Sequence, residues 1–168
     1  KAFFRRFYAP SNASLAIAGD IDPEDVLRKV ERYFGDIPPG PAITRVGRMD
    51  SDLRGQISLT MSDKVQLPRL YLVWPTAADF DADQASLDML SVILADGKSS
   101  RLYQSLVYEK QVASDIGAMD HAKEIAGEFH IQVTASPGHT LEEIEDVVWD
   151  ELRQLQDGPP NEEEMARA

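Results

Sequence analysis

Residues 85–116 read ASLDMLSVILADGKSSRLYQSLVYEKQVASDI. Leu87, Leu90 and Leu94 recur at helical spacing, and Gly97 stands just past the run. Apolar residues three and four apart share one face of a helix, and glycine accepts the left-handed turn that closes it. The spacing therefore predicts a helix over 82–95. Ser99 or Ser100 then suits the cap of a second helix, running to about Lys110, because a hydroxyl there accepts a hydrogen bond from an unpaired amide. Leu102, Leu106 and Val107 would point inward. Residues 112–119 read as a strand.

The pattern continues toward the C-terminus. Phe129, Ile131 and Val133 alternate with His130, Gln132 and Thr134, which predicts a strand over 127–135. DHAKEIAG (120–127) links the two strands and is longer than a tight turn, so a loose hairpin tip is expected. Thr140 and Glu143 have capping-box spacing. The helix they start, 141 to about 157, carries Leu141, Ile144, Val148, Leu152 and Leu155 on one side, and Gly158 stops it. Asn161 and Glu164, after Pro159-Pro160, repeat the cap signal.

Upstream, RLYLVW (69–74) is apolar on both faces and is placed centrally in the sheet. GQISLTM (55–61) alternates Ile57, Leu59 and Met61 with polar residues, a half-buried strand joined to it by SDKVQLP. Residues 36–54 form a polar, proline-containing connection. Asp22 and Pro23 start a helix bearing Val26, Val30, Tyr33 and Phe34, which Gly35 ends. ASLAIAG (13–19) reads as a strand. The order β-α-β-β-α-α-β-β-α-α predicts an α+β two-layer sandwich: a largely antiparallel mixed sheet with helices mainly on one face.

A chain of 168 residues is long enough for a single domain, 1–168, with a sizeable core. The net charge of −12 disfavours nucleic acid and anionic membrane surfaces as partners. No cysteine is present, which removes disulfides, thiol nucleophiles and thiolate metal sites. No run approaches the roughly 18 apolar residues of a membrane span. The start at Lys1 and the stop two turns into a helix both read as cut ends, so a fragment of a longer polypeptide is expected.

No convergent catalytic set emerges from the residues. His121, His130 and His139 lie too far apart for H-E-x-x-H or H-x-x-E-H, which place two histidines and a glutamate on one helical face around zinc. His121 with Glu124 is a partial match in a loop and reads as solvated surface. His130 is expected on the outer face of its strand. Ser99-Ser100 lacks the G-x-S-x-G elbow of a serine nucleophile. D-G-K-S-S (96–100) lacks the first glycine of a phosphate loop. Asp79, Asp81 and Asp83 alternate but lack the glycine of a calcium loop. Arg101 and Tyr103 read as a surface arginine and a half-buried tyrosine, or as a substrate-chamber wall. Trp74 and Trp149 read as core or helix–sheet contacts.

Four segments in order carry a resemblance: FYAPSNASLAIAGDIDPEDVLRKVERYFGDIP (7–38), LPRLYLVWP (67–75), LADGKSSRLYQSLVYEKQVASDI (94–116) and LEEIEDVVWDELRQLQDGPPNEEEMARA (141–168). They are similar to the second, non-peptidase domain of the insulinase/pitrilysin family of inverted zincins, which includes the mitochondrial processing peptidases. The resemblance implies two similar α+β domains per unit and two units closed around a chamber. It places the zinc site in the first domain of one unit, outside this chain. In many members the second domain of the partner unit supplies an Arg and a Tyr that hold substrate. LVYEKQVAS (106–114) puts Val107 and Ser114 at those positions, and neither residue can do that work. Arg101 and Tyr103 are out of register with the pair.

The resemblance thus implies a non-catalytic supporting domain of a zinc-dependent endopeptidase, forming chamber wall and packing on the catalytic zinc domain of the same polypeptide. Further partners would be a second homologous unit, in cis or in trans, and a peptide substrate. No cofactor is expected in this chain; zinc is expected in the catalytic domain of the parent. Likeness to bacterial members points to a periplasmic or other extracytoplasmic location. Two alternatives stand beside this reading: an inactive structural unit, like the core subunits of respiratory complexes, and an unrelated α+β ligand-binding or dimerisation domain.

Overall fold

A computed structural model describes residues 1–48 and 51–168. Met49 and Asp50, within the connection expected over 36–54, lie outside the described residues. The chain divides into two compact units, Lys1–Val46 and Gly47–Ala168.

The first unit holds α1 (Ala2–Phe7), a short 3-10 turn (Pro10–Asn12) and α2 (Pro23–Phe34). The carboxylate of Asp22 accepts from the amides of Glu24 and Asp25, at 2.9 and 3.4 Å, and Pro23 occupies the first helical position. Both features match the sequence reading, because they depend only on neighbours along the chain. The strand expected over 13–19 does not form. Leu15 and Ile17 are exposed, and a strand without a ladder partner has little to hold it. No residue of α1 or α2 is buried.

The second unit is built on a three-stranded antiparallel sheet of β1 (Arg69–Thr76), β2 (Ala113–Asp120) and β3 (Gly127–Ala135), in the order β1-β3-β2. The placement of 69–74 at the sheet centre is therefore corrected: β3 is central and β1 is an edge. Accessibility alternates along β1, with Leu70, Leu72 and Trp74 packed toward the core while Tyr71 and Val73 remain exposed. Apolarity on both faces misled because it records side-chain chemistry, and strand order depends on which ladders form. Gly127 is required where β3 begins: a Cβ there would stand 2.1 Å from the carbonyl oxygen of Ala77.

Helices α3 (Gln84–Ala95) and α4 (Leu141–Asp157), with a π-helical segment (Tyr103–Glu109), complete the core with one face of the sheet. Leu94, Leu102, Leu106, Val133, Ile144 and Val148 are fully buried there. Trp74 meets Trp149 of α4 edge-on, with ring centroids 5.9 Å apart. The opposite face of the sheet carries Tyr71, Val73, His130, Gln132 and Met119. The α+β class, the antiparallel sheet and its one-sided helical cover thus agree with the sequence reading.

Three local details differ. The helix after Gly97 widens to π geometry, with the amide of Lys110 reaching back five residues to Ser105 O at 3.1 Å. Ser100 is buried and donates to Gly97 O at 2.7 Å instead of accepting from a helix amide. The hairpin between β2 and β3 is tighter than expected. His121 and Glu128 extend the ladder, and the amide of Lys123 bonds Ala126 O. Residues 55–61 form no strand, and Ile57, Leu59 and Met61 are each 81% exposed.

Candidate functional site

The turn from Gly97 to Ile116 carries every position that the resemblance singled out. Gly97 closes α3 with φ +73°, as its place in the sequence foretold. Arg101 follows, and its guanidinium grips the carboxylate of Glu164 with two hydrogen bonds, of 2.6 and 2.8 Å. The same carboxylate accepts from the amide of Asn161 at 2.8 Å, so one glutamate both caps α5 (Glu162–Arg167) and anchors it. Arg101 holds the Glu164 carboxyl down to about 2, with Asn161 contributing. Reciprocally, Glu164 holds the Arg101 proton more tightly. Arg167 adds a bond to Ser99 Oγ at 2.9 Å.

Arg101 is therefore a tie between α5 and the turn after α3, and it is largely withdrawn from solvent. The sequence showed both halves of this pair without connecting them. Glu164 was legible only as a cap residue, because Arg101 lies 63 positions away and no local pattern joins them. Tyr103, at the start of the π segment, is half-buried.

Val107 lies on the π segment and packs against the core cluster. Ser114 sits in a bulge of β2: Ala113 pairs with Ala135 and Asp115 with Thr134, which leaves Ser114 as the extra residue. The bulge breaks the inside–outside alternation, so Ser114 and Asp115 are both exposed in succession. Ser114 Oγ donates to the carbonyl oxygens of Thr134 and Ala135, at 3.3 and 3.4 Å. Gln111, between them, holds φ +56°, a left-handed conformation rare outside glycine. A π segment and a bulge are irregularities that re-aim side chains and recur near functional sites. Here they present a valine and a serine. Neither offers a cation or a phenol, and the Ser114 hydroxyl is engaged with backbone carbonyls of β3.

The remaining candidates do not converge with this turn. His130 faces outward from β3, opposite Val73 and Met119. Its Nε2 lies 3.1 Å from Glu128 Oε2, and the imidazole is the main cause that holds the Glu128 carboxyl below its ordinary value. His121 is exposed and meets His130 edge-on, ring centroids 4.9 Å apart. His139 pairs with Glu143, whose carboxyl is lowered first by the Thr140 amide and then by His139. Asp81 pairs with Arg48, and Asp83 precedes α3. Ser105, buried on the π segment, donates to Glu151 of α4. Among the described residues, no three His, Asp or Glu side chains gather closely enough to hold a metal ion.

An apolar cavity of about 330 Å³ lies on the helical face, lined by Trp74, Leu87, Leu90, Phe129, Trp149 and Leu152 among others. Few polar groups point into it, so it resembles a gap in packing more than a site for a small polar ligand. No helix among the described residues is long and apolar enough to cross a membrane.

Comparison with known proteins agrees with this arrangement. A family model described as the peptidase M16 inactive domain matches residues 1–168. The chain is 24% identical to an uncharacterised zinc protease of Streptomyces coelicolor over its whole length, and covers 38% of that protein. It is 26% identical to the zinc protease PqqE of Helicobacter pylori, with 98% of the chain matched against 38% of that protein. It thus spans under two fifths of the relatives it matches. Among solved structures, a crystallised M16 inactive domain from Pseudomonas fluorescens superposes with a TM-score of 0.71 at 22% identity, over 98% of this chain and 40% of that one.

Proposed function

The chain belongs to the peptidase M16 inactive-domain family, and from that premise we propose that it is the non-catalytic supporting domain of a zinc-dependent endopeptidase acting on peptides. In this reading it forms part of a chamber wall and packs on a zinc-bearing domain of the same polypeptide. A second homologous unit, in cis or in trans, would close the chamber, and an extracytoplasmic compartment is the proposed location. The observation that carries the reading is the match of residues 1–168 to a family model described as the peptidase M16 inactive domain. A peptidase must polarise a water and stabilise an oxyanion, and zinc with a glutamate supplies both in this type of enzyme. Val107 and Ser114 supply neither.

The decisive assay is cleavage of a quenched fluorescent peptide by the 168-residue chain and by the full parent, each with and without chelator. The parent should cleave in a chelator-sensitive way and the isolated chain should be inert. Chelator-sensitive cleavage by the isolated chain would overturn the proposal. The exchange of both family substrate-holding positions for Val107 and Ser114 fits a domain of the zinc-bearing half and equally a second reading, an inactive structural unit of the same fold. An inactive, zinc-free parent would select it. The double variant Val107→Arg, Ser114→Tyr should stay inert in isolation under both readings.

A further inference from the structure

We propose that His121 and His130 form a binding site for a divalent transition-metal ion on the open face of the sheet. The two residues stand near the tip of the hairpin between β2 and β3. The amide of His121 donates to Glu128 O at 2.8 Å, and the amide of Glu128 returns the bond to His121 O at 3.3 Å, so these two residues are directly opposed. His130 lies two positions after Glu128 on β3, and side chains two apart share a strand face. The two imidazoles are therefore diagonal neighbours on one face, held there by the backbone hydrogen bonds of the ladder.

The spacing of the rings fits a shared ion. Their centroids are 4.9 Å apart and their planes are 82° from parallel. Metal–nitrogen bonds of about 2.0–2.1 Å, at octahedral or tetrahedral angles, set two imidazole centres roughly 4.5–5.2 Å apart. The last torsion of a histidine side chain is broad, so each ring can turn one nitrogen toward a common point with its Cβ in place. His121 is exposed and the His130 side chain is 29% exposed, which gives an ion a path from solvent.

Glu128 supplies the acceptor that orients a metal-binding histidine. Its Oε2 lies 3.1 Å from His130 Nε2. A carboxylate there accepts the Nε2 proton and leaves Nδ1 of His130 with a free lone pair. Lys123 Nζ reaches the same oxygen at 3.4 Å, so Glu128 acts as an orienting group and not as a third ligand. Two imidazoles thus define the protein's ligand set, and water completes the coordination. Imidazole nitrogen suits copper, nickel and zinc, whereas magnesium and calcium take oxygen ligands, and copper(II) binds tightest of the divalent series. The net charge of −12 draws cations toward the chain.

Calorimetric titration of the 168-residue chain with copper(II), and with zinc(II), at neutral pH tests the site. One ion should bind per chain, copper at least about tenfold tighter than zinc. His121→Ala and His130→Ala should each weaken copper binding at least about tenfold, since each removes one of two ligands. Glu128→Ala should weaken it about tenfold through the orientation of His130, and Glu128→Gln, which keeps an acceptor, should weaken it less. His139→Ala should leave it unchanged, because that imidazole pairs with Glu143 at the start of α4. Saturating copper should also raise the urea midpoint of the unmodified chain and leave that of either hairpin histidine variant unmoved. Both variants should keep the far-ultraviolet circular dichroism of the unmodified chain, because both side chains reach solvent. Failure to find saturable binding of one ion overturns the proposal, and so does an unchanged copper affinity in either hairpin variant. An equal loss in His139→Ala overturns it as well, because the ion would then sit elsewhere.

Discussion

Helices α2 and α4 start alike and end alike. Each has a side-chain cap, Asp22 or Thr140, acidic residues in its first turn and a glycine at its end. Each carries apolar residues at helical spacing. Yet α4 buries Ile144, Val147 and Val148, and α2 buries nothing. Caps and periodicity decide that a helix exists, because they act within one or two turns. Whether its apolar stripe meets a core depends on the surface it faces. Mutational sensitivity should therefore divide between the two units far more sharply than their sequences suggest.

The largest effect should come from the core of the second unit. Leu106→Ala or Ile144→Ala should destabilise by about 2–5 kcal/mol, the range for emptying a buried aliphatic site. Both side chains are fully buried. Leu90→Ala should cost less, because Leu90 is half-buried and already lines a cavity. Urea midpoints check this order. If Leu90→Ala matched Leu106→Ala, the cavity would be filled in solution.

Next comes the tie between Arg101 and Glu164, whose side chains are 18% and 12% exposed. Arg101→Ala should cost about 2 kcal/mol, below the 3–5 of a fully buried pair because solvent still reaches both groups. The pair also predicts a pH dependence. The folded carboxyl of Glu164 titrates at about 2, below its ordinary 4.5. Its contribution is complete above the ordinary value and is lost as pH falls from about 4.5 through about 2. The Glu164→Gln variant should lose less stability over that window than the parent chain. Parallel acid-unfolding curves would mean that the tie is open in solution.

A smaller effect, of opposite sign, belongs to Gln111. Its left-handed backbone strains a residue with a Cβ, and it is exposed. Gln111→Gly should stabilise by about 1 kcal/mol, the relieved strain being partly offset by the greater chain entropy of glycine. A fall in thermal midpoint would show that Gln111 makes a compensating contact.

The first unit should respond least. Asp22→Ala should cost about 1 kcal/mol of local helix stability, read as lost helicity at 222 nm. Val30→Ala should change stability by no more than about 0.5 kcal/mol, since alanine favours the helix and no buried contact is lost. A loss above about 2 kcal/mol at Val30 would place it in a core and erase the contrast with α4.

The sequence by itself determined what depends on near neighbours. The helix over 82–95 with its stop at Gly97, the capping boxes at Thr140 and Asn161, and the alternating strand around Ile131 all follow from spacings of two to four residues. The face of β3 that enters the core was legible for the same reason. So was the family, whose resemblance rests on ordered segments; Val107 and Ser114 were identified through it.

Tertiary structure decided what depends on partners distant in sequence. Strand order put β1 at an edge, although its composition suited the centre, because hydrogen-bond ladders choose neighbours by topology. The segments 13–19 and 55–61 have strand chemistry and no ladder. Arg101 found Glu164 across 63 positions, and the bulge at Ser114 arose from a register shift that only the pairing with β3 reveals. Periodicity along a chain states which side chains share a face. It carries no information on which other face will meet them, because that choice is made by closing long loops against entropy, and the whole set of contacts is satisfied together.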